Sequence, residues 1–151
     1  MISEVEKLAE FAEAVRESTI ERLKKVPAGK ENWRITADAM SIAEIAYHVI
    51  EADDWLFLKV DNPKLEPMLG KIGTIKINDV FEFRNLIERL QQSGQKRCSF
   101  IKNIEGSKLK STIFDKRFGK EVSIWWIIIR GNLDHEIHHR GQLAAYLRAL
   151  S

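Results

Sequence analysis

Three of the four histidines in the sequence fall within five residues, in the segment HEIHH at 135–139. Residues four apart lie on one face of an α-helix with their Cβ atoms about 5–6 Å apart, so His135 and His139 can bind one metal ion together. His138 points away from that pair. Because two imidazoles seldom hold a metal alone, a third ligand is expected, and the remaining histidine is His48.

His48 lies in the middle of a second helical pattern, where Ile45, Val49 and Ala52 place it on or beside the apolar stripe. A single histidine on an apolar face is often a hydrogen-bonded core residue, and that interpretation stays open for His48 alone. Facing helices of a bundle also build metal sites from inward side chains. Taken together, the three histidines favour a metal site.

The same segment matches the H-E-x-x-H pattern of zinc peptidases, in which the glutamate is a general base. Such a peptidase usually takes a third ligand from further along the chain. The 12 residues that follow His139 include no His, Asp or Glu. We therefore interpret the match as coincidental, and keep Glu136 as a secondary candidate for proton transfer near the metal.

Four segments with helical periodicity must position these side chains. Their expected limits are Ser3 to Pro27, Ser41 to about Asp61–Pro63, Asn78 to Ile104 with Gly94 and Arg97 inside the pattern, and Ser123 to the C-terminus. Residues 111–122 are compatible with a short hairpin or an extended loop. Four helices of roughly 20–28 residues predict an all-α fold, a four-helix bundle. The loops at 27–40 and 61–77 are long enough to predict at least one crossover connection.

Composition excludes several classes of protein. The 151 residues fit one domain over 1–151, and 44% hydrophobic with 30% charged residues is typical of a folded core. A net charge of +2 offers no basic surface for nucleic acid. One cysteine, Cys98, excludes an internal disulfide and a cysteine zinc cluster. No signal peptide is expected, and the longest apolar run, 124–129, is too short for a bilayer, so we expect a soluble cytoplasmic protein with no membrane partner.

The joint pattern of a histidine in the second helix and His135-x-x-x-His139-Arg140-Gly141-Gln142 in the last resembles the DinB-like superfamily, which includes YfiT-type proteins. The segments at 32–34 and 41–48 and the start of the last helix at 122–126 are similar to the same family. The likeness covers nearly the whole chain in the order and length of its elements.

This resemblance implies a four-helix bundle with up-down-down-up connections, often a homodimer, and a divalent metal bound by His48, His135 and His139. Relatives include transferases and isomerases that use bacillithiol, mycothiol or glutathione, and metal-dependent hydrolases have been proposed. The family name refers to induction by DNA damage and does not imply DNA binding. The metal, which the residues leave open among zinc, nickel, manganese and iron, would have water at its open positions.

Three neutral imidazoles leave a divalent ion with an open position, as in catalytic sites. Such an ion lowers the pKa of bound water, which supports hydrolysis, and binds a thiol as thiolate, which supports thiol transfer. Helix geometry places Gln142 and Asn132 on the face of the histidine pair, where either could orient a ligand, and Tyr146 one turn further, where it could donate a hydrogen bond to substrate. Asp53 and Asp54 are expected to face solvent, although one could anchor an imidazole N–H.

Two classes of function therefore remain. The first is a divalent-metal-dependent enzyme acting on a small molecule, either a transferase using a low-molecular-weight thiol such as bacillithiol or a hydrolase. Because nothing marks Cys98 as an activated nucleophile, the thiol would come from a cosubstrate. The second is a non-enzymatic metal-binding stress-response scaffold. An accessible site beside a pocket would favour the enzyme, and a sealed site would favour the scaffold.

Overall fold

Capping boxes begin the first two long helices, as the sequence predicts. Ser3 and Ser41 are extended, and each accepts a hydrogen bond from the backbone N–H three residues on. The glutamate at that position, Glu6 or Glu44, accepts one from the serine's own N–H. Asp79 caps the third helix through Glu82 N–H. These local bonds satisfy backbone donors that a helix leaves unpaired at its start.

The computed structural model describes residues 2–151 and is mainly helical. Its elements are α1 (Glu4–Lys24), α2 (Ile42–Lys59), α3 (Val80–Lys102), α4 (Gly106–Lys110), β1 (Thr112–Asp115), β2 (Lys120–Ser123), α5 (Ile124–Trp126), a π-helical segment (Ile127–Leu133) and α6 (Asp134–Leu150). The four predicted helices are confirmed, and of the two alternatives for residues 111–122 the structure has the hairpin, whereas α4 was not predicted. Among residues 2–151, no helix is long and apolar enough to cross a membrane.

The last helix is continuous but not uniform. Right-handed helical backbone runs through both junctions of the π-helical segment, so α5, that segment and α6 form one helix. A π-helical turn accommodates extra residues and so changes which side chains face the bundle beyond it. Periodicity alone predicts the extent of this helix and misses the π-helical segment, which ends two residues before His135.

Contacts between residues of different helices give the direction of each helix. The helix α1 runs antiparallel to α3, α2 runs parallel to α3, and the last helix runs antiparallel to α2. The paired contacts are Ala9–Cys98 and Arg16–Leu90, then Tyr47–Arg89 and Phe57–Phe100, then Ala52–Asn132 and His48–His135. The bundle is therefore connected up-down-down-up, and the segment between α2 and α3 is the expected crossover.

A layer of buried polar side chains divides the core into two apolar clusters. One cluster includes Leu8 and Ile101, and the other includes Leu23 and Leu143. Between them on α1 lie Arg16 and Thr19, both buried. The polar layer crosses all four long helices close to the level of the histidines.

The hairpin is held against the end of α2. Its strands are antiparallel with Asp115 opposite Lys120, and Gly119 in the turn adopts a φ of +69°. The buried Asp115 carboxylate lies 3.0 Å from Lys59 Nζ, and its other oxygen accepts the backbone N–H of Arg117. This ion pair fixes the position of the turn, including Arg117.

Candidate metal centre

The structure brings His48, His135 and His139 together. The Nε2 atom of His135 lies 3.0 Å from Nε2 of His48 and 3.0 Å from Nε2 of His139. An ion bound at about 2.0–2.1 Å would hold two such nitrogens about 2.8–3.4 Å apart at bond angles of about 90–110°. The spacing and the donor type therefore fit a divalent metal ion. His138, which was expected to point away from the pair, is exposed.

Gln142 orients one of the three rings. Its Oε1 atom lies 2.7 Å from Nδ1 of His139. Because this oxygen can only accept, the His139 proton is on Nδ1 and the Nε2 lone pair faces the other two histidines. A partner of this kind fixes the tautomer and orientation of a metal ligand. The Nδ1 atoms of His48 and His135 are buried and have no hydrogen-bond partner within residues 2–151.

All three imidazoles are held neutral. Burial, with a smaller contribution from His139, lowers the pKa of His48 to about 4. Burial, followed by the neighbouring His139 and His48, lowers the pKa of His135 to about 3. Burial also lowers the pKa of His139, although the hydrogen bond that His139 donates to Gln142 acts in the opposite direction. Neutral rings are the form that binds metal.

These shifts predict acid sensitivity in the metal-free protein. Unfolded histidines bind protons near pH 6.5, whereas folded His48 and His135 do so only near 4 and 3. The unfolded state therefore binds more protons in that window, and the free energy of unfolding falls as the pH decreases from about 6.5. Urea unfolding of metal-free protein between pH 7.5 and 4.5 measures this decrease. A His48→Gln, His135→Gln double variant should show a shallower decrease, and an unchanged slope would contradict the prediction.

A small pocket lies beside the histidines. Its walls are His48, Ala52, Trp55, Met68, Arg117, Gly131 and His135, and its volume is about 20 Å³. This is room for about one water molecule. The crossover between α2 and α3 covers one side, because Gly70 lies so close to His48 that a Cβ there would be 3.6 Å from its ring. Trp55 is a buried core residue. Its Nε1–H also donates a hydrogen bond to the Glu66 carbonyl of this crossover, 3.1 Å away.

Glu136 belongs to a different site. Its oxygens lie 2.8 Å from Arg16 Nη2, 2.7 Å from Arg97 Nη1 and 2.7 Å from Thr19 Oγ1. Burial raises the pKa of Glu136, but Arg97 and Arg16 together lower it to about 2. The carboxylate is thus ionised and engaged by three donors. These three donors explain how the Glu136 carboxylate can be buried. A role for Glu136 in proton transfer stays a prediction.

The neighbours of Glu136 complete a buried ion cluster. Asp53, expected to face solvent, is fully buried and lies 2.8 Å from Arg16 and 3.1 Å from Arg97, so that expectation was wrong. Asn132 accepts from Arg97 at 3.0 Å and donates to the Ala52 carbonyl at 3.1 Å. Asn132 therefore bonds within the ion cluster. The feature of the sequence that indicated a buried ion cluster was Arg97, a charged residue at an apolar position of the third helix.

Tyr146 lies about two turns after His139 on α6 and contacts the segment that leads into α2. Its hydroxyl donates to the Met40 carbonyl at 2.9 Å, and its ring packs edge-on against Trp33 at 5.3 Å. Burial raises the pKa of Tyr146. Tyr146 thus supports the segment that leads into α2, and its donation to a substrate remains a prediction. Asp54 is exposed, as expected.

Comparison with known proteins agrees with this architecture. A DinB-like protein of Bacillus subtilis, YjoA, has a similar solved structure, with a TM-score of 0.69 at 17% identity over 95% of this chain and 91% of that one. An uncharacterised protein of Clostridium difficile 630 gives 0.66 at 14% identity over 98% of both chains. A conserved protein of Enterococcus faecalis gives 0.66 at 15% identity over 99% and 98%. These identities establish the fold alone.

The sequence comparisons are more specific about the family. None of the curated proteins compared with this chain matches it in sequence. Residues 12–143 match the DinB superfamily, a span that contains all three clustered histidines. The bundle and its connections agree with this match, and the chain belongs to the DinB superfamily.

Proposed function

We propose that this protein binds one divalent metal ion through His48, His135 and His139 and uses it to catalyse transfer of a low-molecular-weight thiol, such as bacillithiol, or hydrolysis of a small molecule. The observation that carries the proposal is the convergence of three neutral imidazole Nε2 atoms beside a pocket. A divalent ion bound there supplies Lewis acidity, which lowers the pKa of a water or thiol at its open position.

The residues around the histidines have distinct roles in this proposal. Gln142 holds His139 with its Nε2 towards the ion. Trp55 and Met68 form apolar walls of the pocket that exclude bulk water, and Arg117 is its cationic wall. Cys98 lies on α3, with its Sγ 3.9 Å from the Ala9 carbonyl. The thiol would therefore come from a cosubstrate.

Gln142 provides a test of the proposed ligand set. Gln142→Leu removes the acceptor that orients His139, so we expect metal affinity to fall about 10–100-fold, as for other supporting residues of metal sites. Gln142→Glu keeps an acceptor at the same place and should retain most of the affinity. Titration calorimetry with Zn²⁺ measures both variants. Equal affinities in the two variants would show that Gln142 does not support a metal ligand.

The activity is tested with metal-reconstituted protein. Bacillithiol, mycothiol and glutathione are each offered with the electrophile 1-chloro-2,4-dinitrobenzene, and p-nitrophenyl acetate tests hydrolysis. We expect turnover with one thiol or with the ester that disappears in metal-free protein and in His48→Ala. Metal binding without turnover in either assay would contradict the enzymatic proposal.

A second candidate is a non-enzymatic metal-binding scaffold in the stress response. The pocket volume of about 20 Å³ favours it, because a substrate could enter only if a lining side chain such as Met68 moved. The two candidates also predict different behaviour towards small ligands. An enzyme site should admit a thiol to the ion, and a sealed scaffold site should not. Homodimer formation is a further proposal from the family resemblance, measured by analytical ultracentrifugation.

A further inference from the structure

Arg117, in the turn of the hairpin, is a cation placed beside the histidines. It is a wall of the same pocket as His48 and His135, and its positive charge contributes to lowering the pKa of His135. The β-hairpin delivers it there from outside the bundle, since Asp115 is anchored to Lys59. The hairpin therefore adds one charged group to a pocket otherwise built from the helices and the crossover.

Arg117 is an exposed residue, and its guanidinium, partly desolvated beside the pocket, has no carboxylate partner in the part of the chain that the structure describes. Arg16 and Arg97 are paired with Asp53 and Glu136, and the more exposed Arg34 and Arg130 have carboxylate partners of their own. Within residues 2–151, no carboxylate oxygen lies within 4.0 Å of the Arg117 guanidinium, and no side-chain hydrogen bond holds it. The nearest carboxylate in sequence, that of Asp115, is already engaged by Lys59 and by backbone N–H groups.

Aromatic rings and a glycine hold Arg117 in place. Its guanidinium carbon lies 5.2 Å from the ring centre of Trp55 and 4.6 Å from that of Phe118. Stacking of this kind fixes the guanidinium plane but leaves its N–H donors available. A Cβ on Gly131 would lie 2.8 Å from Arg117 Nη2 and 3.0 Å from Trp55, so the lack of a side chain there makes room for the arginine. Gly131 lies in the π-helical segment, one turn before His135.

We infer that Arg117 binds an anionic group, a carboxylate in particular, of a small molecule whose other end reaches the metal held by the three histidines. This inference rests on the proposed metal site and names the class of molecule that the site takes. The planar N–H fork of an arginine matches a carboxylate, and a partly desolvated charge binds it more strongly than an exposed one. Mercaptoacetate combines a metal-binding thiol and a carboxylate on adjacent carbons, so it is a suitable probe.

The test compares mercaptoacetate with 2-mercaptoacetamide, a neutral thiol of nearly the same shape. Co²⁺-loaded protein reports thiol binding through a sulfur-to-cobalt charge-transfer band, without any need for turnover. We expect Arg117→Met to weaken binding of mercaptoacetate about tenfold or more relative to its effect on the amide, since an ionic hydrogen bond is lost only for the acid. Differences in thiol acidity between the two probes cancel in this ratio.

Three further variants make the test specific. Arg117→Lys keeps the charge and should restore part of the preference for the acid. Lys116→Met, in the same turn but exposed and paired only with Glu66, should leave both affinities unchanged. Gly131→Ala should move Arg117 and weaken binding of the acid more than of the amide. Co²⁺ absorption bands without added thiol check that every variant still binds metal.

The outcomes separate this inference from the function it rests on. If both thiols bind cobalt and Arg117→Met weakens them equally, the role of Arg117 is overturned and thiol binding stands. If neither thiol changes the cobalt spectrum of the native protein, the proposed thiol chemistry is overturned together with this inference. A selective loss for mercaptoacetate supports both.

Discussion

Alanine at any one of His48, His135 or His139 is expected to remove bound metal from the protein, whereas alanine at His138 is not. The physical reason is that each of the three supplies one Nε2 to a single point, and two imidazoles bind a divalent ion poorly. Loss of a supporting residue already costs about 10–100-fold in affinity, so loss of a ligand should cost at least about 100-fold. His138 is the matched control, because it lies in the same segment but is exposed, and within residues 2–151 its hydrogen-bond partner is Gln142, at 3.4 Å.

Elemental analysis of untagged protein, prepared without chelator, measures this effect. We expect about one divalent ion per chain in the native protein and in His138→Ala. Circular dichroism should show a folded bundle in all variants, since the replaced rings are neutral and no buried charge loses its partner. Equal metal content in the native protein and His48→Ala would exclude the two-helix site and return attention to the His135–His139 pair alone. Native protein without affinity for any of the four candidate metals would contradict the proposal entirely.

Features set by short spacings were predictable from the sequence. The capping boxes at Ser3 and Ser41 depend on residues three apart, and the histidine pair depends on residues four apart on one helix. Bringing His48 to that pair required the packing of one helix against another. That step was predictable because His48 lies on an apolar stripe, which has to face the bundle interior.

Features set by distant partners were not predictable in the same way. Arg16 and Glu136 are 120 residues apart, and neither interrupts a pattern strongly enough to identify the other. Asp53 was expected to face solvent because a carboxylate is rarely buried unless it is paired, and its partners lie on other helices. The position of Arg117 beside the histidines was not predictable either, since a turn residue shows no periodicity that would indicate which surface the hairpin covers. The π-helical segment depends on backbone bonding, which hydrophobic periodicity does not report.

The buried ion cluster leads to the second large effect, which concerns stability. Glu136→Ala is expected to lower the free energy of unfolding by about 3–5 kcal/mol, because Arg16 and Arg97 would stay buried with fewer anionic partners. The matched control is Asp134→Ala on the same helix, whose exposed pair with Arg130 contributes about 0.5 kcal/mol or less. Urea unfolding of metal-free protein measures both changes without interference from metal binding.

A smaller change keeps the prediction testable if Glu136→Ala does not fold. Thr19→Val removes one hydrogen bond to Glu136 while keeping both arginine pairs, and should cost about 1–3 kcal/mol by leaving part of a buried carboxylate unsatisfied. The variants also separate a structural role for Glu136 from a role in proton transfer. A structural role predicts that Thr19→Val loses less stability than Glu136→Ala and that folded Thr19→Val still binds metal. If Glu136→Ala unfolds at the same urea concentration as the native protein, the cluster does not stabilise the fold, and the carboxylate next to His135 becomes the leading candidate for proton transfer.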